Sequence, residues 1–209
     1  MSASAGIATE LLALGSATLG ESGARIMAPR IKAAWSGARL SGPAITARCA
    51  PGDNLAIHVA VAATTTPGAV LVVDASAEPD MGYWGEVLTT GAEARGITGL
   101  VIDGCVRDVA RLEAHGFPAF SRGIALPGTP KVGPGTVGRR TTVGDVRVEP
   151  GDWVVGDADG VVVIASAALD DVLAAGRARA QREEVLFEKL RKGATTVELL
   201  GLDASAVER

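Results

Sequence analysis

The chain contains few aromatic residues and few cysteines, and both shortages limit what it can be. Only 3% of its 209 residues are aromatic, whereas 47% are hydrophobic. The expected core therefore consists of small and β-branched side chains, as in sheet-rich α/β proteins. The two cysteines, Cys49 and Cys105, are too few for a disulfide framework and form no CxxC pair or Cys–His cluster. We interpret both as packing residues.

Clusters of one charge and long hydrophobic runs are also missing. The net charge is −4, and acidic and basic residues are interspersed. Without a basic patch that carries interleaved aromatic residues, we expect no nucleic-acid partner. Residues 1–20 contain no Lys or Arg before their apolar run, which argues against a signal peptide. No apolar run is long enough to cross a bilayer, so we expect a cytoplasmic protein without membrane attachment.

The spacing of the apolar residues predicts an α/β fold. Between residues 38 and 121 strands and helices alternate, so at least part of the sheet is parallel. Residues 124–164 are rich in Gly and Pro and predict short antiparallel strands. The predicted helices cover 6–20, 55–64, 83–95, 107–115, 167–192 and 195–201. The predicted strands cover 38–49, 69–74, 99–103, 118–121 and 161–164. We expect one domain over residues 1–209, with a helical tail from about 167.

One stretch of the chain points to a binding site. The buried strand Leu100–Ile102 ends at Asp103, and Arg107 and Asp108 follow where a helix is predicted. Taken alone, such a pair is more often a surface pair that caps a helix. The carboxyl ends of neighbouring parallel strands meet at one edge of a sheet, however. We therefore expect the helix that follows Asp74 to begin beside Arg107.

The start of that helix would complete a site for a small carboxylate. Backbone N–H groups in the first turn of a helix lack partners, and opposite a guanidinium they bind carboxylates. Here they belong to Gly85, Glu86, Val87 and Leu88, and Gly85 lets a ligand approach the backbone. The carboxylates of Glu86 and Asp108 are the oxygen ligands that hard divalent cations prefer. Glu86 is also the kind of acidic residue that any helix N-terminus favours.

Other chemistries have less support in the sequence. A serine triad needs a histidine, and the two histidines, His58 and His115, stand where histidine is more often structural. The segment GPGTVG matches neither the dinucleotide-binding pattern nor the P-loop. A Schiff-base enzyme needs a desolvated lysine, and only Lys131 is expected near a pocket. Metal-assisted chemistry on a small carboxylate is the favoured hypothesis.

Several segments together resemble a known family. They are GPAITARCAPGDNLAIH, GAVLVVD, YWGEVLTTGAEARGITGLVIDGCVRDV, GFPAFSRG and PGDWVVGDADGVVVI. In order and spacing they resemble the RraA-like proteins, which include the class II 4-hydroxy-4-methyl-2-oxoglutarate aldolases. The most specific feature is an acidic or small residue, then twenty residues, then Arg–Asp. In this chain those positions are Glu86, residues 87–106 and Arg107–Asp108.

The resemblance implies a role for each of these residues. Gly85–Leu88 would bind the substrate carboxylate through backbone amides, and Arg107 would bind the 2-oxo acid end. Asp108 would ligate Mg²⁺ or Mn²⁺, whose other ligands are mostly water, and Glu86 would orient a water that carries the proton. Aldolases of the family have Asp where this chain has Glu86, which keeps the carboxylate on a longer side chain. In the family's regulators this position is described as Gly and the Asp after Arg can be missing, so Glu86 and Asp108 favour the metal-using branch.

The resemblance also implies a fold, an assembly and a reaction. The fold is the swivelling β/β/α type, with three layers, a parallel βαβ unit and an antiparallel β-rich layer. The family forms trimers, or dimers of trimers, with sites at subunit interfaces, and Glu183 or Glu184 is a candidate for an acid that a neighbouring subunit donates. The implied reaction cleaves a 4-hydroxy-2-oxo acid to pyruvate, with oxaloacetate decarboxylation as a second activity. The alternative is an RraA-type regulator, which binds and inhibits an RNA-processing endoribonuclease.

Overall fold

The computed structural model describes residues 3–207, which form six α-helices and fourteen β-strands. The helices are α1 (Ala3–Gly20), α2 (Leu55–Ala63), α3 (Glu86–Glu93), α4 (Val109–His115), α5 (Leu169–Arg191) and α6 (Thr196–Leu200). The first seven strands are β1 (Arg25–Ile26), β2 (Lys32–Ala33), β3 (Leu40–Arg48), β4 (Ala69–Asp74), β5 (Gly82–Trp84), β6 (Ile97–Ile102) and β7 (Cys105–Val106). The others are β8 (Ala119–Ser121), β9 (Gly123–Ile124), β10 (Thr136–Val137), β11 (Thr141–Val143), β12 (Val146–Val148), β13 (Trp153–Gly156) and β14 (Val161–Ile164).

Nine strands form the central sheet. Their order is β1-β14-β13-β3-β4-β6-β8-β2, and β10 pairs with β3 as well. The four strands β3, β4, β6 and β8 are parallel, as the alternation of strands and helices predicts. All six residues of β4 are buried, which explains its unbroken apolar run from Ala69 to Val73. The antiparallel strands β13, β14 and β1 continue this sheet beyond β3.

Helices and a hairpin cover the two faces of the sheet. On one face α2, α3 and α4 contribute side chains such as Leu88 and Leu112 to the core. On the other face the β11–β12 hairpin packs through Val143 and Val148. The first helix and α5 pack against β13 and β14. The predicted α/β class, with a parallel unit and an antiparallel part, is confirmed, although most of the antiparallel strands extend the parallel sheet and only the hairpin lies as a layer over it.

The predicted helix over 83–95 is wrong at its start, because Gly82–Trp84 form a strand. That strand, β5, pairs in parallel with β7, and β7 pairs with β9. Trp84 is fully buried, stacks on Phe117 with ring centroids 5.7 Å apart, and donates from Nε1 to Thr89 Oγ1 over 2.8 Å. Long-range pairing and burial therefore replace the helical turn that the apolar spacing predicts.

The terminal helices largely follow the predictions. The first helix is interrupted at Gly15, where φ is 80° and ψ is 159°, and the N–H and hydroxyl of Ser16 donate there to Asp157. At the other end, Thr195 caps α6 in a capping box with Glu198. None of the helices in the described part of the chain is both long and apolar enough to cross a membrane.

Candidate active site

The carboxyl ends of β4 and β6 lie side by side because these two strands pair in parallel. Beyond them, β5, β7 and β9 form a small parallel sheet. Arg107 follows β7, and its backbone N–H donates to the carbonyl of Trp84 over 2.8 Å. Since Gly85 comes directly after Trp84, this hydrogen bond brings the Arg107–Asp108 pair to the residue that precedes α3.

A cavity of about 210 Å³ opens beside these residues. Its lining consists of Asn54, His58, Gly82, Tyr83, Gly85, Val87, Leu88, Arg107, Asp108, Gly128, Thr129 and Lys131. A larger cavity of about 430 Å³ lies between α1 and β3, but Arg39 alone is charged among the described residues that line it. The smaller cavity combines two cationic side chains with a carboxylate, so we take it as the candidate site.

Asp108 joins the starts of two helices. It is the residue before α4, and its backbone is left-handed, with φ 56° and ψ 33°, which is uncommon for any residue but glycine. Its side chain makes no capping bond to α4. Instead, Oδ2 accepts a hydrogen bond from the backbone N–H of Glu86 at 3.0 Å. A Cβ atom at Gly85 would lie 2.4 Å from that oxygen, so the carboxylate occupies this place only because residue 85 has no side chain.

Arg107 lies across three glycines that leave room for its side chain. A Cβ atom would lie 3.1 Å from Cδ of Arg107 at Gly82, 3.2 Å from Cγ at Gly85 and 3.3 Å from Nη1 at Gly128. The Arg107 side chain is 43% exposed, and its Nε is 4.0 Å from Oδ2 of Asp108. Within residues 3–207 the guanidinium donates no hydrogen bond. Its planar set of donors is therefore free for a ligand.

The first turn of α3 adds free backbone donors to the site. Thr89 makes the first bond within the helix, from its N–H to the carbonyl of Gly85 at 3.0 Å. The N–H of Glu86 is used by Asp108, whereas the N–H groups of Val87 and Leu88 have no acceptor among the described residues. Both residues line the cavity. Free amides at a helix N-terminus together with a guanidinium suit a carboxylate ligand.

The side chain of Glu86 does not line the cavity. Its Oε2 lies 3.9 Å from Nε of Arg111, and its Oε1 lies 3.7 Å from Nε2 of His115. His115 also lies 2.9 Å from Glu93 through Nδ1. Glu86 is thus next to the site through its backbone, while its carboxylate faces α4.

Polar residues at the start of α2 and in the loop that precedes β10 line another side of the cavity. Asn54 and His58 are four residues apart at the start of α2, so they lie on one face of the helix. The Oδ1 atom of Asn54 and the Nε2 atom of His58 are buried and have no hydrogen-bond partner among the described residues. The sequence alone favours a structural role for His58 and indicates no functional role for Asn54. The four-residue spacing of Asn54 and His58, directly after the turn at Gly52–Asp53, is the sequence feature that indicates a shared helix face.

Asp53 connects the loop that precedes β10 to the start of α2 through hydrogen bonds. It is 4% exposed, and its Oδ2 accepts from the N–H groups of Val132 and Gly133 at 2.7 and 2.9 Å. Its Oδ1 accepts from the N–H of Leu55 at 2.8 Å. Burial raises the pKa of Asp53, but these donors and Lys131 outweigh it, so the pKa lies below its ordinary value. The loop that carries Lys131 is therefore held in place from α2.

The remaining titratable groups of the lining differ in their surroundings. Burial, with a further contribution from Lys131, lowers the pKa of His58, so this imidazole is neutral near neutral pH. Burial raises the pKa of Tyr83 to about 12, and its hydroxyl donates to the carbonyl of Glu78 and accepts from the N–H of Gly52. Lys131 is exposed, and its Nζ donates to the carbonyl of Thr129 at 3.1 Å. The desolvation that a Schiff-base lysine needs is therefore not found at Lys131.

A buried carboxylate fixes the strand end behind the site. Asp103 follows β6 and is 2% exposed. It accepts from Nε of Arg122 at 2.5 Å, from Nη2 of Arg30 at 3.0 Å and from the N–H of Gly144 at 3.0 Å. Burial raises the pKa of Asp103, but these three donors outweigh it and the net pKa is lowered. Asp103, interpreted from the sequence as part of a turn, therefore ties the carboxyl edge to three distant segments.

Asp108 is the residue of the site that fits a divalent cation. Within residues 3–207, no group of three or more His, Cys, Asp or Glu side chains could enclose a metal ion. One half-exposed carboxylate is a donor set that fits Mg²⁺, because this ion keeps several waters and often takes only one or two protein carboxylates. Glu183 and Glu184 do not line the cavity of their own chain. They pair with Arg179 at 2.8 Å and with Arg191 at 3.3 Å, respectively, on α5.

The fold is that of an α/β protein, and its candidate active site lies at the carboxyl edge of a parallel sheet, where Arg107 and the free amides of α3 suit a carboxylate ligand. Residues 14–163 match the model of the RraA-like family, described as Aldolase/RraA. Because this match covers more than half of the chain, the protein belongs to the RraA-like family, as the sequence segments predict.

Individual relatives support this assignment. A protein of Halalkalibacterium halodurans is 39% identical over 132 residues, which are 63% of this chain and 62% of that protein. A protein of Albidiferax ferrireducens is 37% identical over 153 residues, which are 69% of this chain and 87% of that protein. Both are provisionally named 4-hydroxy-4-methyl-2-oxoglutarate aldolase. The match thus spans less than two thirds of the length of the first relative.

A solved structure with the same fold represents another branch. RraAS2 of Streptomyces coelicolor, described as an unusual member of the RNase ES inhibitor RraA protein family, superposes with a TM-score of 0.75. It is 26% identical, and the match covers 86% of this chain and 94% of that one. The family therefore includes proteins named as aldolases and proteins named as inhibitors of an RNase.

Proposed function

We propose that this protein is a divalent-metal-dependent aldolase that cleaves 4-hydroxy-4-methyl-2-oxoglutarate, or a related 4-hydroxy-2-oxo acid, to pyruvate. The observation that carries the proposal is the convergence of Arg107, Asp108 and the free amides of α3 on one cavity. The provisional aldolase names of two relatives support it. Oxaloacetate decarboxylation is the proposed second activity, because loss of CO₂ leaves the same pyruvyl group.

Arg107 and the first turn of α3 would bind the end of the substrate that becomes pyruvate. The carboxylate would accept hydrogen bonds from the N–H groups of Val87 and Leu88, and Gly85 leaves room for Asp108 and Arg107 beside them. Arg107 would donate to the 2-oxo oxygen, on which negative charge develops as the bond between C3 and C4 breaks. The 4-hydroxyl then loses its proton as it becomes a carbonyl, and C3 gains a proton to give the methyl group of pyruvate.

Asp108 would hold the metal, Mg²⁺ or Mn²⁺, through its carboxylate. When bound, the ion would act as a Lewis acid on the 2-oxo acid. The backbone N–H of Glu86 would orient Asp108 by its hydrogen bond to Oδ2. For the carboxylate of Glu86 to hold a proton-carrying water, as the family resemblance implies, its side chain must leave Arg111 and His115.

A homotrimer, or a dimer of trimers, belongs to the same proposal. Among residues 3–207 of the single chain, Asp108 is the one carboxylate in the cavity lining, so an acid from a neighbour would complete the proton path. Glu183 and Glu184 are the proposed donors, and each would have to exchange its present arginine partner for the neighbour's site.

The alternative is a regulator that binds an RNA-processing endoribonuclease. It is favoured by the similarity to RraAS2 of Streptomyces coelicolor, which is described within an RNase inhibitor family. The regulator hypothesis requires neither a metal ion at Asp108 nor substrate turnover. Tight binding to such a nuclease, together with no turnover of any 2-oxo acid, would favour it over the aldolase.

A coupled assay for pyruvate release tests the proposal. We expect turnover on at least one of a panel of 4-hydroxy-2-oxo acids and oxaloacetate, complete loss with EDTA, and recovery with Mg²⁺ or Mn²⁺. Asp108→Asn keeps the shape and tolerates the left-handed backbone, so it should fold normally by circular dichroism yet lose Mn²⁺ binding and nearly all activity. Full turnover after exhaustive chelation would show that the metal mechanism is wrong. A borohydride-trapped adduct on Lys131 would replace it with a Schiff-base mechanism.

A further inference from the structure

A cleft lined by three arginines lies at the carboxyl edge of the sheet, and among residues 3–207 it shares no lining residue with the candidate active site. We call it the arginine cleft; its volume is about 280 Å³. It is lined by Arg48, Asp74, Arg140, Thr141, Thr142 and Arg147. We propose that this cleft binds a phosphate group.

The strand topology explains why the three cations meet there. Arg48 and Asp74 are opposite each other at the carboxyl ends of β3 and β4, an edge of a parallel sheet where ligands commonly bind. The β11–β12 hairpin packs over this edge, and Arg147 stands opposite Thr142 in its ladder. Arg140 directly precedes β11. Two ends of parallel strands and one hairpin therefore supply the lining.

The guanidinium groups of the cleft make at most loose ion pairs within the described chain. None of the three donates a hydrogen bond to a residue in the range 3–207. Arg48 lies 3.5 Å from Asp74, and Arg140 lies 3.6 Å from Glu149, so both ion pairs are loose. By contrast, Arg122 is engaged with Asp103 at 2.5 Å. Guanidinium groups with free donors match the oxygens of a phosphate group, to which they bind in pairs of parallel hydrogen bonds.

A buried hydroxyl gives a second, independent indication. Thr141 is 5% exposed and lines the cleft, and its Oγ1 has no hydrogen-bond partner among the described residues. A buried hydroxyl without a hydrogen-bond partner is costly, and a phosphate oxygen would accept a hydrogen bond from it.

The one carboxylate in the lining does not oppose this assignment. Asp74 accepts from the hydroxyl and the N–H of Ser76 through Oδ1, and its Oδ2 faces Arg48. Its charge is thus compensated by Arg48. Arg147 has no ion pair among the described residues, and Arg140 would exchange its loose contact with Glu149 for the ligand. These two cations would then balance a doubly charged anion, which favours phosphate over a monocarboxylate.

Titration of the whole protein with inorganic phosphate and with glycerol phosphate, at constant ionic strength, tests the proposal. We expect saturable binding by calorimetry, with either the free ion or the phosphomonoester bound more tightly. Arg140→Ala and Arg147→Ala should each weaken binding by about tenfold or more. Arg95→Ala, at an exposed arginine outside the cleft, is the matched control and should bind like the parent.

Thr141→Val separates binding from folding. The hydroxyl has no partner to lose, so the variant should be at least as stable as the parent without phosphate. It should nevertheless bind phosphate more weakly. The proposal is overturned if the parent binds neither compound, or if Arg140→Ala and Arg147→Ala bind like Arg95→Ala. Loss of binding in Arg107→Ala but not in Arg147→Ala would also overturn it, because the ion would then lie in the candidate active site.

Discussion

Replacing Gly85 by alanine should disable the site without unfolding the protein. The added Cβ would lie 2.4 Å from Oδ2 of Asp108 and 3.2 Å from Cγ of both Asp108 and Arg107. Gly85 has φ −163°, an extended conformation that alanine adopts freely, so the backbone itself is not strained. The Asp108 carboxylate must instead move by roughly 1 Å to restore an ordinary contact.

That movement breaks the 3.0 Å hydrogen bond between the N–H of Glu86 and Asp108. The Asp108 side chain is 41% exposed, so we expect the free energy of unfolding to fall by only about 1 kcal/mol. The effect on the metal should be larger, since loss of a partner that orients a ligand typically weakens metal affinity by about 10- to 100-fold. Urea unfolding without metal and calorimetric titration with Mn²⁺ measure the two quantities.

Gly91→Ala is the matched control, because it adds the same methyl group within α3, the helix that Gly85 directly precedes. Its Cβ would meet only Cγ1 of Val61, at 3.8 Å, an ordinary contact. The control should bind Mn²⁺ like the parent and be as stable or slightly more stable. In an Asp108→Ala background, Gly85→Ala should have little further effect on stability, because the 2.4 Å contact is gone and the 3.2 Å contact with Cγ of Arg107 remains. If Gly85→Ala binds Mn²⁺ with the parent's affinity, the steric reasoning and the assignment of Asp108 as the metal ligand both fail.

Three further predictions concern other parts of the molecule. Arg107→Lys keeps the charge but loses the planar donors, so steady-state kinetics should show a higher KM and a lower kcat; unchanged values would remove Arg107 from the site. Asp103→Asn should lower the free energy of unfolding by about 2 kcal/mol, a reduced value because Arg30 and Arg122 are partly exposed; an unchanged urea midpoint would contradict this. The pKa of His58 is below its ordinary 6.5, so the unfolded state takes up a proton first as pH falls. Stability should therefore decline below about pH 6.5, and His58→Gln should decline less; equal slopes would refute it.

Continuous apolar runs made much of the fold predictable from the sequence. The strands over 69–74 and 161–164 have the predicted boundaries. Both are buried on both faces, so their apolar residues form runs with clear ends. The start of α3 was missed for the opposite reason. Trp84 stands at helical spacing from Val87 and Leu88, but it belongs to β5, which pairs with β7, and no local pattern encodes that distant pairing.

The candidate site likewise has one part that the sequence predicts and one part that it does not. Adjacent parallel strands bring Gly85 and the Arg107–Asp108 pair together, and the order of strands and helices is enough to predict that arrangement. The wall with Asn54 and His58 depends on how the loop around Lys131 closes onto α2. That closure rests on hydrogen bonds that Asp53 accepts from backbone N–H groups 79 and 80 positions away, and spacing along the chain does not indicate them.

The burial of Asp103 has a kinetic consequence. Its carboxylate is compensated by partners 19, 41 and 73 positions away, so it gains them all only after those segments have assembled. Contacts that form only after such long loops have closed contribute little to the stability of a folding transition state that is built from local contacts. We therefore expect Asp103→Asn to speed unfolding while leaving refolding almost unchanged. In the native protein, the contacts of Asp103 would then determine the lifetime of the folded site and would have little influence on the rate at which it forms.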